Sequence, residues 1–176
     1  MDSIVLGGGC FWCLEAVYQE IKGVQKVQSG YAGGHMPNPS YREVCAETTG
    51  HAEVVKVEFD EKVVSLDQIL WIFWHGHDPT TLNRQGNDRG TQYRSIILFK
   101  DEFQRQAAER SKEQAEKEGI WSDPIVTIIK QLETFYPAED YHNNYYADHP
   151  QQPYCNIVIA PKLKKVRASF EELIKS

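Results

Sequence analysis

A short apolar run followed by three glycines and an amphipathic stretch constrains this chain more than any other feature. Ile4-Val5-Leu6 leads into Gly7-Gly8-Gly9, and apolar residues then recur at positions 11, 14, 17 and 21, which is helical spacing. This pattern predicts a strand, a tight turn and a helix that begins at or just after Cys10.

The start of that helix predicts an unusual environment for the Cys10 thiol. A helix N-terminus presents unpaired N–H groups and the positive end of the helix dipole, and both favour a thiolate. Thiols in such positions have pKa values of about 3.5–7.5, so we expect Cys10 to be largely ionised at neutral pH. Cys13 follows one turn later on the same face, where its sulfur could bond to that of Cys10. The alternative is that both cysteines only fill space behind the glycine-rich turn.

Composition and charge exclude several classes of protein. The 176 residues are 41% hydrophobic and 25% charged, typical of a globular protein, and we expect one domain over residues 1–176. A net charge of −6 with scattered basic residues argues against nucleic-acid binding. The longest apolar run, residues 69–74, is too short to cross a membrane, and the N-terminus does not resemble a signal peptide. Four cysteines in such a chain indicate a reducing compartment, so we expect a cytoplasmic monomer.

The order of predicted elements indicates an α+β fold. Strands are predicted over residues 24–32, 54–59 and 93–99, and Ser65 with Gln68 forms a capping box that starts a second helix. With the first strand and helix, the order is β-α-β-β-α-β, the split pattern of ferredoxin-like folds. We therefore expect a two-layer α/β sandwich with helices on one face of a mixed sheet. The remaining predicted elements are a polar helix from Asp101 to about Glu118, strands over 125–130 and 157–159, a short helix within 138–147, and a last helix beginning near Pro161.

Several loops carry polar groups that could assist a thiolate, although any one of them could be an ordinary surface residue. Read in order, the motifs are Gly-Cys-Phe-Trp at 9–12, Gly-Tyr-Ala-Gly-Gly at 30–34, Pro-Asn-Pro-Ser-Tyr-Arg-Glu-Val-Cys at 37–45, Thr-Gly-His-Ala-Glu at 49–53, His-Asp-Pro-Thr at 77–80, Arg-Gln-Gly-Asn-Asp-Arg-Gly-Thr-Gln-Tyr-Arg-Ser at 84–95 and Ala-Glu-Asp-Tyr-His at 138–142. This set closely resembles the A type of the peptide methionine sulfoxide reductase family, and the resemblance extends from residue 4 to about residue 160.

The resemblance implies an enzyme that reduces the S epimer of methionine sulfoxide, free or in proteins, and so repairs oxidised proteins. Cys10 would be the nucleophile, and Glu53 would be an acid, kept protonated by burial, that acts on the sulfoxide oxygen. Phe11 and Trp12 would form an apolar pocket for the S-methyl group. The other matching positions are Tyr41 and Tyr93, which would hold the sulfoxide oxygen, and Asp88 and Tyr145, which would line the pocket.

The resemblance also implies how the enzyme is regenerated. Reduction would leave a sulfenic acid on Cys10, a second thiol would condense it to a disulfide, and thioredoxin would reduce that disulfide without a metal, flavin or other cofactor. We expect Cys155 to be the second thiol, because it follows a tyrosine, as the resolving cysteine does in many family members. Cys13 is the alternative, because a CxxC spacing closes readily unless the helix must unwind.

Two other functions fit part of this pattern. A thioredoxin-like disulfide oxidoreductase would use the same strand, CxxC motif and helix, but it would leave Glu53, Tyr41 and Tyr93 without roles. A zinc-binding module would need a second close pair of ligands, which the remaining candidates do not form in sequence. Those candidates are Cys45, Cys155, His75 and His77.

Overall fold

A computed structural model describes residues 1–175 of the chain. The strands are β1 (Asp2–Gly7), β2 (Val24–Ala32), β3 (Ala52–Phe59), β4 (Arg84–Gln85), β5 (Asp88–Arg89), β6 (Ile96–Phe99), β7 (Ile128–Gln131) and β8 (Tyr136–Pro137). The helices are α1 (Phe11–Gln19), α2 (Tyr41–Cys45), α3 (Leu66–Gly76), α4 (Glu102–Glu118), α5 (Tyr145–Asp148) and α6 (Ala160–Ser169). Single 3₁₀ turns lie at Thr91–Tyr93, Asp140–His142 and Glu171–Leu173, and a π-helical segment lies at Cys155–Ile159. Within residues 1–175, no helix is both long and apolar enough to span a membrane.

Six strands form one sheet in the order β7-β6-β1-β3-β2-β8, and β4 pairs with β5 in a separate hairpin. The central pairs are antiparallel, with Ile4 opposite Val57 and Tyr31 opposite Glu53. The β6–β7 pair is parallel, which makes the sheet mixed. Strands β1, β2, β3 and β6 with helices α1 and α3 form the β-α-β-β-α-β core, so the predicted α+β fold is confirmed.

The two faces of the sheet are covered differently, because side chains alternate along each strand. On one face Leu6, Val55 and Val57 enter the main core, which they share with α1 and α3. On the other face Val5 and Val54 belong to a smaller cluster, partly covered by neighbouring loop side chains. Residue 53 lies two positions before Val55 on β3, so its side chain points towards the main core and α1.

Capping residues set the ends of two predicted helices. Ser65 and Gln68 form the expected capping box at the start of α3. The Asp101 side chain accepts the backbone N–H of Gln104 at the start of α4, and Gly119 ends that helix in the left-handed conformation with φ of 61°. Both helices therefore begin where the sequence predicted.

The strand predicted over residues 157–159 is wrong. This Ile-Val-Ile run is π-helical, and the segment continues directly into α6, in which Pro161 is the second residue. The cause is tertiary burial: Cys155, Ile159 and Leu163 lie four residues apart and are buried, whereas Ile157 is 73% exposed. A helix buries such a set on one face, and this burial outweighs the strand preference of β-branched residues.

Three other predicted boundaries also need correction. The strand predicted to begin at Tyr93 begins at Ile96, because Thr91–Tyr93 is a 3₁₀ turn. The strand predicted over 125–130 is β7, Ile128–Gln131. The single short helix predicted within 138–147 is instead the turn Asp140–His142 followed by α5.

Candidate functional site

Cys10 is the N-cap residue of α1, directly after the glycine-rich turn. Gly9 has a φ of +86°, and a Cβ atom there would lie 2.6 Å from the Gln85 side chain, so both the conformation and the close approach require glycine. The Cys13 backbone N–H donates to the Cys10 carbonyl oxygen at 3.0 Å, which closes the first helical turn. The predicted helix start is confirmed, and Cys13 lies one turn after Cys10.

The expectation that Cys10 is largely a thiolate in the free protein is wrong. The residue is only 6% exposed, and burial raises the pKa of its thiol well above the ordinary value. The neighbouring Glu53 and Cys13 act in the same direction. The helix N-terminus therefore does not compensate for the loss of hydration, and the Cys10 thiol keeps its proton.

Glu53 supplies a buried acid beside this thiol. Its side chain is 1% exposed, and Oε1 accepts the backbone N–H of Phe11 at 3.1 Å. Oε2 is buried and has no hydrogen-bond partner within residues 1–175. Burial raises the pKa of Glu53 to about 8, although the Phe11 N–H and the Cys10 thiol, which lies within hydrogen-bonding reach, oppose the shift. Glu53 is therefore protonated at neutral pH, as predicted.

Tyr41 and Tyr93 approach the same carboxyl group from two different elements. Tyr41 begins α2, and its ring packs against Phe11 with centroids 6.3 Å apart. Tyr93 lies in a 3₁₀ turn, where its carbonyl oxygen accepts the Gly9 N–H at 3.2 Å. Burial raises the pKa of both phenols, and the nearby Glu53 adds to the shift. Both phenols therefore keep their protons and can serve as hydrogen-bond donors.

Phe11 and Trp12 lie in an aromatic cluster with residues from the C-terminal part of the chain. Phe11 is fully buried, with its ring 5.0 Å from that of His142. Trp12 is half-buried and stacks on Tyr145, with ring centroids 3.7 Å apart and an angle of 4°. The Trp12 Nε1–H donates to His142 Nδ1 at 3.1 Å, and the Tyr154 ring meets the indole edge-on.

We call residues 138–159, which supply His142, Tyr145 and Tyr154, the covering segment. Its main anchor is Glu139, whose two carboxyl oxygens accept the Tyr31 phenol at 2.9 Å and the Tyr41 backbone N–H at 3.0 Å. Burial alone would raise the pKa of Glu139, but these hydrogen bonds outweigh it and the pKa is lowered. The ionised Glu139 thus attaches the covering segment to both β2 and α2.

The covering segment also places Tyr154 between two residues of the predicted site. Tyr154 Oη donates to Asp88 Oδ2 at 2.7 Å and lies 3.7 Å from Cys13 Sγ. Glu139, His142 and Tyr154 are site residues that the sequence did not predict. The sequence features that could have identified them are the motif at 138–142, which contains Glu139 and His142, and the position of Tyr154 before Cys155. No local pattern, however, shows that these side chains reach α1.

The four cysteines occupy different environments, and all four thiols are free. Cys10, Cys13 and Cys155 are buried, whereas Cys45 is exposed at the end of α2. Across the described residues 1–175, no group of three or more His, Cys, Asp and Glu side chains could hold a metal ion. The zinc-binding alternative therefore has no support in the geometry.

Comparison with known proteins decides among the remaining thiol functions. A family model described as peptide methionine sulfoxide reductase matches residues 2–174. The chain belongs to this family. A relative from Polynucleobacter asymbioticus, named peptide methionine sulfoxide reductase MsrA, is 57% identical over 174 residues, which cover 99% of this chain and 92% of the relative. Membership of this reductase family argues against the disulfide oxidoreductase alternative.

Solved structures of the reductase family share the fold. The reduced form of Mxr1 from Saccharomyces cerevisiae matches with a TM-score of 0.82 and 35% sequence identity, over 88% of each chain. Mxr1 in its complex with Trx2 matches with a TM-score of 0.59 and 25% identity, over 80% of this chain and 83% of that one. The α+β architecture is therefore shared with reductases of known structure.

Proposed function

We propose that this oxidoreductase reduces the S epimer of methionine sulfoxide, free or in proteins, and so repairs oxidised proteins. The observation that carries the proposal is the buried Glu53 carboxyl group, which neighbours the Cys10 thiol and whose Oε2 has no hydrogen-bond partner in residues 1–175. A protonated carboxyl group with a free O–H is the donor that a sulfoxide oxygen requires before a thiol can attack its sulfur.

In the first step, Cys10 Sγ attacks the sulfoxide sulfur while Glu53 donates its proton to the sulfoxide oxygen. The Cys10 proton passes to the Glu53 carboxylate, so the acid is restored. Oxygen is transferred to Cys10, the products are methionine and a sulfenic acid, and the sulfoxide sulfur is reduced by two electrons. Burial of both groups keeps the proton within the pair until substrate accepts it.

Neighbouring side chains would bind and orient the substrate. The half-buried Trp12 indole, stacked on Tyr145, and the fully buried Phe11 ring would offer apolar surface to the S-methyl group. The protonated phenols of Tyr41 and Tyr93 are suited to hold the sulfoxide oxygen. The last two positions proposed to line the pocket are Asp88 and Tyr145.

We propose that Cys13, and not Cys155, condenses with the sulfenic acid. Cys13 lies one helical turn from Cys10 and acts on it electrostatically. Cys155 is fully buried in a helical segment that continues into α6, which restricts the movement of its thiol towards another sulfur. A CxxC pair with its first cysteine at a helix N-cap closes with only local adjustment.

Thioredoxin is the proposed reductant of the resulting disulfide. Support comes from the complex of the related Mxr1 with Trx2. Thiol–disulfide exchange would transfer two electrons to the Cys10–Cys13 bond and restore both thiols. The four free cysteines agree with a reducing cytoplasm, and a site built from one chain needs no second copy. The family match over residues 2–174 supports one catalytic domain, and no cofactor enters this scheme.

The function is tested by supplying the purified protein with the separated S and R epimers of methionine sulfoxide and with thioredoxin kept reduced. We expect methionine to form from the S epimer and not from the R epimer. Insulin disulfides serve as the competing substrate. Reduction of insulin without turnover of either sulfoxide would assign the chain to the disulfide oxidoreductases instead.

The resolving thiol is tested by mapping sulfur bonds after oxidation with one equivalent of the S epimer. We expect a Cys10–Cys13 bond, formed equally in the Cys155→Ser variant and absent from Cys13→Ser. A Cys10–Cys155 bond in the unmodified protein would restore the assignment that the sequence favoured.

A further inference from the structure

Cys13, Tyr154 and Asp88 form a chain of hydrogen bonds with one possible direction. Tyr154 Oη donates to Asp88 Oδ2 at 2.7 Å, and a phenol has only one proton to donate. Tyr154 Oη also lies 3.7 Å from Cys13 Sγ. Because the phenol proton is already directed at Asp88, the thiol must be the donor in the second contact. The order is therefore Sγ–H to Oη–H to Oδ2.

The chain connects a buried thiol with the outer part of the protein. Cys13 is 1% exposed and lies on α1, whereas Tyr154 and Asp88 are half-buried. Asp88 belongs to β5, in the small hairpin outside the main sheet. A proton on Cys13 has no direct access to water, but Asp88 lies close enough to the surface to exchange one.

The surroundings of Cys13 keep its thiol protonated, although the charged groups nearby shift its pKa in both directions. Burial raises the pKa of Cys13, and the carboxyl groups of Asp88 and Glu53 add to this. The positive charge of Lys162, in α6, acts in the opposite direction. A thiol attacks only as its thiolate, so Cys13 must lose its proton before or during the resolving step.

We propose that Tyr154 relays the Cys13 proton to Asp88 as Cys13 attacks the Cys10 sulfenic acid, an inference that rests on the proposed function. The S–S bond forms and the Cys10 S–O bond breaks. The departing hydroxide takes the Glu53 proton and leaves as water. The Cys13 sulfur is oxidised by one electron and the Cys10 sulfur is reduced by one. Asp88 then loses its proton to solvent, and Glu53 takes up one proton from solvent, so the net products are the disulfide and water.

A purely structural role for Tyr154 makes a different prediction. If its hydroxyl only fastened the covering segment to β5, its loss would change binding or stability but not the pH dependence of disulfide formation. A relay predicts a changed pH profile, because without it the buried Cys13 must ionise before it attacks. The rate would then follow the small thiolate fraction, which rises about tenfold per pH unit below the thiol pKa.

The test mixes the protein rapidly with methionine S-sulfoxide, without thioredoxin, and follows methionine release and Cys10–Cys13 disulfide formation separately. Tyr154→Phe keeps the ring but removes the hydroxyl. Asp88→Asn keeps a hydrogen-bond acceptor that does not take the proton, and it covers the case in which Tyr154→Phe does not fold. Tyr146→Phe is the control, because it removes a phenol of the same segment that is outside the hydrogen-bond chain.

We expect disulfide formation at pH 7 to slow by about tenfold or more in both relay variants and to rise steeply with pH. In the unmodified protein and in Tyr146→Phe it should change much less with pH. Disulfide formation with unchanged rate and pH profile in Tyr154→Phe and Asp88→Asn overturns the relay. Release of methionine with a Cys10–Cys155 bond overturns the relay but keeps the reductase. No methionine release from the unmodified protein overturns the proposed function itself, and the relay with it.

Discussion

The nucleophile wall, our name for residues 7–13, with the proposed nucleophile Cys10, together with Glu53, is held by backbone hydrogen bonds and core packing, whereas the covering segment is held mainly by side chains. On the nucleophile wall, the N–H groups of Gly9 and Phe11 bind the Tyr93 carbonyl oxygen and the Glu53 carboxyl. In the covering segment, the side chains of Glu139, His142 and Tyr154 make bonds to the rest of the protein. The proposed reacting groups therefore lie on the central strands and the start of α1, and the side chains proposed to surround the substrate are attached to them through side-chain bonds.

The two carboxyl groups of these regions show what the difference does chemically. Glu53 has an unpartnered oxygen, and burial raises its pKa to about 8. For Glu139, hydrogen bonds to both oxygens overcome the effect of burial and lower the pKa. Environments that move two pKa values apart assign different roles to identical groups. Glu53 is an acid that can give a proton, and Glu139 is a charge that holds two elements together.

The largest expected effect is on the nucleophile wall, from Cys10→Ser. Without the thiol, no sulfur attacks the sulfoxide, so single-turnover release of methionine from the S epimer should disappear. The matched control is Cys45→Ser, which removes an exposed thiol at the end of α2 and should retain release. Methionine released by Cys10→Ser would place the nucleophile elsewhere and remove the distinction between the two regions.

The next largest effect is expected from Glu53→Gln. This variant keeps the shape of the side chain but has no carboxyl proton, so sulfenic acid formation should slow by roughly 10²-fold or more. The measurement is rapid mixing across pH: the unmodified rate should fall as pH rises past about 8, where Glu53 ionises, and the variant should lack that inflection. Glu58→Gln, on the same strand, is the control. An unchanged rate would move the acid to another group.

A stability measurement on the unmodified protein and Glu53→Gln tests the burial of Glu53 independently of catalysis. Because the folded-state pKa of Glu53 is raised above its ordinary value of 4.5 to about 8, the folded protein binds more protons than the unfolded chain between these values. The free energy of unfolding should therefore fall as pH rises through this range, by up to about 1.4 kcal/mol per unit from this group. Denaturant titrations at pH 6 and pH 7 should show that the free energy of unfolding falls less in Glu53→Gln than in the unmodified protein. Parallel curves for the two proteins would mean that Glu53 is hydrated.

The smallest expected effect is in the covering segment, from Glu139→Gln. An amide can still accept one of the two hydrogen bonds, but it has no charge, so the free energy of unfolding should fall by about 1 kcal/mol. Because Tyr41 loses part of its anchor, KM for the S epimer should rise while the pH profile set by Glu53 stays in place. The control is Glu133→Gln, at an exposed position before the segment. A shifted pH profile in Glu139→Gln would mean that the protonation of Glu53 depends on Glu139, so that the two regions do not titrate independently.

The sequence alone determined the nucleophile wall and the central topology. The strand, the three glycines and the start of the amphipathic run lie within about fifteen consecutive residues, so local sequence rules are enough to place the start of α1 at Cys10. The same holds for the capping box at Ser65 and for the central strands and helices of the sheet, whose patterns are long and regular. The resemblance to the family identified Glu53, Tyr41, Tyr93 and Asp88 as candidate site residues, but it did not show where their side chains point.

Tertiary structure decided the protonation states and the path of the covering segment. Cys10 was predicted to be a thiolate from its place on a helix, but burial against Glu53 reverses the sign of the shift. The Ile-Val-Ile run at 157–159 favours a strand locally, yet it is helical because Cys155 and Ile159 share one buried face. Desolvation and long-range packing depend on atoms more than a hundred residues away in sequence, as in the contact between Tyr154 and Cys13. Local patterns do not contain such contacts, whereas helix starts and strand alternation arise from neighbours along the chain.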